Sequence, residues 1–147
     1  MSGTARAALA GAAAATMWSA VEPFDRRLFR FRYSDVALLG KAVTRGPLWR
    51  PIGLAIHALN GAGAGVAFGH VDRRLGGSTM RNAVAFAMAE HAALYPLTVI
   101  TDRYHPARGD HDLPPLSRSL RGFAQATFRH LVFGVVLGAL LRRHHRA

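Results

Sequence analysis

The side chains best able to do chemistry lie inside apolar runs, where charge is expensive. Glu90 and His91 stand side by side in "AVAFAMAEHAALYPL", residues 83–97, and Arg129 and His130 in "FAQATFRHLVFGVVLGALL", residues 123–141. His57 and Asn60 lie in "PIGLAIHALNGAGAGVAFGHV", residues 51–71, which contains no Asp, Glu, Lys or Arg. An unpaired ion in a hydrocarbon setting costs several kcal/mol, and a hydrogen-bonded pair much less. Glu90 is therefore expected to pair with Arg129. Three chemistries are open to such a set: a buried network that fixes helix register, a transport path or proton relay through Glu90, His91, Arg129 and His130, or ligation of a cofactor.

Spacing sharpens the last of these. The pattern His57-x3-Gly61-x3-Gly65 recurs as His130-x3-Gly134-x3-Gly138, a shift of 73 residues that also places Pro23 on Pro96, Arg30 on Arg103 and Arg45 on Arg118. Residues four apart share a helical face, so each histidine has two glycines beside it. Two such histidines on different helices could be axial ligands of a b-type haem, with the glycines making room for the porphyrin. The shift is close to half of the 147 residues and suggests a duplicated helical hairpin, chance similarity of Gly-rich helices being the alternative.

The elements that must position these residues are four apolar segments, spans of about residues 5–22, 51–71, 82–101 and 122–141. Each makes a helix of roughly 25–30 Å, the hydrocarbon thickness of a bilayer. The rival is a soluble Ala-rich bundle. Gly61, Gly63, Gly65 and Gly69 argue against it, because each costs a water-exposed helix about 1 kcal/mol relative to Ala, whereas in a membrane small residues let helices approach. The expected fold is all-α: a single transmembrane domain over residues 1–147, a four-helix bundle made of two similar hairpins. The first segment reads as a retained helix rather than a signal peptide, since it lacks a leucine-rich core. If chain direction alternates, Thr16, Asn60, Glu90, His91, Arg129 and His130 fall within about two turns of mid-membrane, with His57 at the depth of His130.

Between the first two segments, Ser34 or Asp35 can cap a short helix within residues 34–45, closed by Gly46-Pro47. Preceded by "RRLFRFRY", it reads either as an interfacial helix on anionic headgroups or as a solvated loop. The third loop carries Asp102, His105, Asp110, His111 and Asp112, whose spacing matches no metal motif and reads as solvated.

The net charge is +11, with Lys41 the sole lysine among nineteen positive residues. The arginines lie mostly between and after the apolar segments rather than along one face, which suits loops that flank a bilayer and not a nucleic-acid surface. Eleven positives on the two longer loops against seven on the other side favour a cytoplasmic position for those loops. The basic tail "RRHHRA" reads as a stop-transfer flank. Cysteine is absent, which excludes disulfides, Cys-ligated metals and thiol nucleophiles. No phosphate loop, HExxH helix or GxSxG elbow is present, and "GAGAGVAFG" has no strand before it, so no enzyme is expected and no metal.

The stretches "LWRPIGLAIHALNGAGAG", "ALYPLTVITDRYHPARG" and "FAQATFRHLVFGVVLGALL", in this order, resemble the small four-helix inner-membrane proteins of bacteria, broadly YagU-like, of unknown function. The resemblance implies a multi-pass protein of the bacterial inner membrane without an assigned reaction. Together these observations lead to a structural or interaction component with a buried polar network, partnered by lipid, by other membrane proteins or by itself.

Overall fold

Four serines start four helices. Ser2, Ser34, Ser78 and Ser119 each accept, through the side chain, the amide three residues on, which satisfies one of the donors that a helix start leaves free. In the computed structural model, which describes residues 2–142, the helices are α1 Gly3–Leu28, α2 Asp35–Val43, α3 Trp49–Leu75, α4 Thr79–Leu94, α5 Thr98–Tyr104 and α6 Leu120–Leu141. A 3-10 turn, Tyr95–Leu97, joins α4 to α5. No strand occurs among the described residues, and the fold is all-α. All but the first residue of the "RRHHRA" tail lies outside the described residues.

The expected boundaries shift in three places. α1 does not stop at Glu22 but runs through Pro23 to Leu28, because the acids on either side of that proline are anchored, as described below. The third segment begins at Thr79, and Pro96, which has no amide hydrogen, turns the ladder into 3-10 form before α5 resumes to Tyr104. The short helix forms where Ser34 caps it, but it packs on α3. A Cβ at Gly40 would strike the Trp49 carbonyl, and one at Gly53 the Val36 carbonyl.

The packing is inside-out for a water-soluble bundle. The buried cluster is built on Ala10, Ala14, Ala15, Ala83 and Ala87 around Trp18, Phe68, Phe133 and Leu137. Larger apolar side chains point outward: Leu9 is 59% exposed, Leu59 70% and Ile100 57%. Among the described residues, three helical stretches are long and apolar enough to cross a membrane: α3, the continuous stretch Thr79–Tyr104, and α6. α1 has the length, but Arg6 near its start and Glu22, Asp25, Arg26 and Arg27 towards its end dilute its apolar run.

Glycine sets the approach of the helices. A Cβ at Gly61 would meet Ala15 and the Gly11 carbonyl, and one at Gly65 the Ala7 carbonyl. In the other pair, a Cβ at Gly134 would meet Val84 and Ala87, and one at Gly138 would meet Met80 and Ala83. α1 thus packs closely on α3, and α4 on α6, while α1 and α6 join the two pairs. α3 and α4 are linked by a tight turn through Gly76, whose φ of 65° suits a residue without Cβ, yet they touch little along their length. Gly63, by contrast, has nothing within 4 Å of a built Cβ.

Gly61→Val is therefore expected to lower stability by about 1–3 kcal/mol through overpacking, while Gly63→Ala leaves it unchanged. Unfolding in mixed detergent with rising dodecyl sulfate reads the difference, and equal effects at the two positions would contradict this packing.

Candidate functional site: an arginine clamp beside a polar cavity

α6 carries Gln125 and Arg129 one turn apart on its buried face. Arg129 is 1% exposed. Its Nε donates to Asp25 Oδ2 at 2.5 Å and its Nη2 to Asp25 Oδ1 at 2.7 Å, a bidentate pair. Nη1 donates to Asp35 Oδ2 at 2.6 Å, and Nη2 also reaches the Tyr33 carbonyl at 3.0 Å. Glu22 Oε1 lies 3.7 Å from Nη1.

The carboxylates are themselves held. Gln125 donates to Asp25 at 2.6 Å and to the Phe31 carbonyl at 2.9 Å. Trp18 Nε1 donates to Asp35 at 3.0 Å. Glu22 accepts from Ser34 Oγ at 2.9 Å and from the Asp35 amide at 3.1 Å. Every guanidinium nitrogen is thus bonded, which is the condition under which a buried ion can be kept. Burial works to raise the Asp35 carboxyl, but Arg129, with His57 and Trp18, outweighs it and holds the group below the usual carboxylate range. Burial pushes the Tyr33 phenol well above its ordinary value, and Asp35 adds to this.

Glu90 does not pair with Arg129. The guanidinium is taken by acids from α1 and from the start of α2, and Glu90, half-buried on α4, has no hydrogen bond or ion pair among the described residues. Asp25 was hidden by Pro23, which reads as a helix end, and Glu22 stood at the last position of the expected segment. Once α1 is allowed to continue, Trp18, Glu22 and Asp25 fall at helical spacing on its buried face. Asp35 carried a signal, but only as a capping residue.

Beside this clamp lies a cavity of about 370 Å³, to whose wall all six helices and the 3-10 turn contribute. His57, Asn60, Glu90, His91, Arg129 and His130 all line it, so the six residues singled out in the sequence share one space. Thr16 stays apart, exposed and bonded to the Ala12 carbonyl. The Trp18 ring meets His57 edge-on at 5.3 Å and His130 at 4.6 Å between centroids, and His130 lies 4.7 Å from His91.

The hydrogen bonds set the tautomers. Thr127 Oγ1 donates to the Phe123 carbonyl, so the bond between it and His91 Nε2, at 3.0 Å, uses a histidine proton. His130 Nδ1 donates to the Ala126 carbonyl at 2.8 Å, leaving Nε2 with a lone pair. His57 Nε2 is buried with no partner.

This geometry does not fit a haem between His57 and His130. The Trp18 indole contacts both rings, and the glycine clefts beside them are filled by the α1 and α4 backbones. Among the described residues no group of three His, Cys, Asp or Glu is placed to hold a metal ion. The acids of the third loop are ties instead. Asp102 accepts the amides of Leu116 and Ser117 at 3.0 and 2.8 Å, Asp110 pairs with Lys41 at 3.1 Å, and Asp112 with Arg26 at 3.4 Å. The hydrogen bond from Lys41 holds the Asp110 carboxyl below its ordinary range. His105 Nε2 donates to the Leu38 carbonyl at 2.9 Å, so the loop is strapped over α2.

No protein-family model, curated protein or solved structure matches the chain.

Removing one partner of the clamp strands a buried charge. Asp25→Asn or Arg129→Ala is expected to cost about 3–5 kcal/mol. Glu90→Gln removes an unpaired carboxylate from an apolar wall and should not lower stability. The same unfolding assay checks both. Because Asp35 titrates lower folded than unfolded, its contribution is complete above the unfolded value and is lost as pH falls through the folded one. The unfolding midpoint should drop below about pH 4, and this acid-side drop should be smaller in Asp35→Asn.

Proposed function

We propose that the chain is a four-span protein of the bacterial inner membrane whose cavity binds a small ligand, with the Arg129 clamp as the structural part that holds the cavity in shape. The observation that carries this reading is the division of the polar layer. Arg129 is saturated, whereas Glu90 lines the cavity with no partner among the described residues, and His57, also in its wall, has a buried Nε2 with none. Polar groups spent only on packing would be satisfied. No reaction is assigned. A cavity that binds and releases its ligand is what a carrier needs, and in such a role Glu90 and the histidines do the work, not Arg129.

Four features support the membrane setting: three apolar helices, leucines directed outward, arginines gathered at the helix ends, and the resemblance to small inner-membrane proteins. α1 would be the fourth span, its acids neutralised by Arg129. The two hairpins fit a duplicated unit, because the 73-residue offset that relates Gly61 to Gly134 also relates its neighbour Gly11 to Val84, and likewise relates Gly65 and Ala7 to Gly138 and Met80. α2 has no helical counterpart in the second half.

The cysteine-free chain makes topology direct to test. Leu48→Cys, at a position 63% exposed at the start of α3, and Arg74→Cys, in its last turn, should be labelled by an impermeant maleimide from opposite faces of the membrane. Arg74→Cys should react in intact cells. Labelling of both from one side would overturn the four-span arrangement.

A further inference from the structure

We propose that the cavity takes a small organic cation, with the Glu90 carboxylate as its counter-ion. The proposal rests on the ligand-binding reading above and adds the class of ligand.

Charge carries the argument. The chain has a net charge of +11, yet the surroundings of the cavity are negative. Arg129 faces three carboxylates, Glu22, Asp25 and Asp35, and Arg26, which also reaches Glu22, is shared with Asp112. Glu90 adds a fourth with no partner among the described residues. Among the described residues, Arg129 is the one Arg or Lys that lines the cavity. His91 and His130 lie 4.7 Å apart between ring centroids, where two imidazolium charges would repel, and each uses one ring N–H in a bond within the protein. An anionic ligand would add to this excess. A neutral one would leave Glu90 unpaired in an apolar wall, where a carboxylate is costly.

Shape and access agree. The volume of about 370 Å³ lies within the range of small-molecule sites. The Trp18 and Tyr95 rings form part of the wall, and aromatic rings attract ammonium groups. α3 and α4 touch little, and Asn60 and Glu90, neither of them buried, sit on the two sides of that gap. A ligand with an apolar body and a cationic head could enter there from the bilayer and leave its charge on Glu90.

The test uses the full chain in mild detergent and two probes of one shape: benzyltrimethylammonium and its uncharged carbon isostere, neopentylbenzene, followed by equilibrium dialysis. Saturable binding of the cation is expected, at least about tenfold weaker in Glu90→Gln, an ion pair's worth of about 1.4 kcal/mol, and partly restored in Glu90→Asp. The unfolding midpoint of each variant shows that the loss is not one of folding. Equal binding of the cation by parent and Glu90→Gln would overturn the proposal. If neopentylbenzene binds saturably and the cation does not, the cavity reading stands and the cation assignment falls. If neither binds at millimolar concentration, both fall.

Discussion

A guanidinium sealed from solvent must find its counter-charges inside the protein, and most of this architecture follows from where Arg129 finds them. Two of the acids come from α1 and one from the first residue of α2, so the clamp draws three helices to one point. α1 must continue past Pro23 to deliver Asp25. The link from Phe29 to Ser34 must double back to deliver Asp35, and on the way it offers the carbonyls of Phe31 and Tyr33 to Gln125 and Arg129. An ion pair of this kind gives little net stability over an apolar substitute, but it makes wrong arrangements of the same helices costly. In a bundle whose core is mostly alanine and glycine, where few side chains are large enough to fix a register, that specificity has to come from polar groups.

The clamp also explains why Glu90 has no partner among the described residues. With Arg129 neutralised from the α1 side, Glu90 on α4 loses the partner that its depth would assign to it. The divergence of α3 and α4 then leaves a space that neither alanine nor glycine fills. Trp18 joins the two regions: its indole N–H is bonded to Asp35 in the clamp, while its ring forms part of the cavity wall against His57 and His130. Arg129, Gln125 and Asp35 also line the cavity, so clamp and cavity share a wall.

Much of this was legible in the sequence. The apolar segments gave the long helices, Gly61, Gly65, Gly134 and Gly138 marked the closest approaches, and the six polar residues inside the segments proved to line one space. The failures have physical causes. Proline is a reliable stop signal only where nothing beyond it is anchored, so reading a stop at Pro23 removed Asp25 from the helix and left Glu90 as the nearest acid for Arg129. The glycines beside the histidines read equally well as room for a porphyrin or as room for another helix. Only the positions of α1 and α4 decide between the two, and those are long-range facts. The third loop, rich in Asp and Pro, showed no periodicity to betray that its acids are paired with Lys41 and Arg26.

The most direct measurement is a pair of double-mutant cycles on unfolding free energy, one crossing Arg129→Gln with Asp25→Asn and the other crossing Arg129→Gln with Glu90→Gln. A clamp that excludes Glu90 predicts coupling of about 2 kcal/mol or more in the first cycle and, in the second, a value near the roughly 0.5 kcal/mol at which independent sites are additive. Strong coupling of Arg129 to Glu90 with little to Asp25 would contradict the account, and would place the ion pair across α4 and α6 instead.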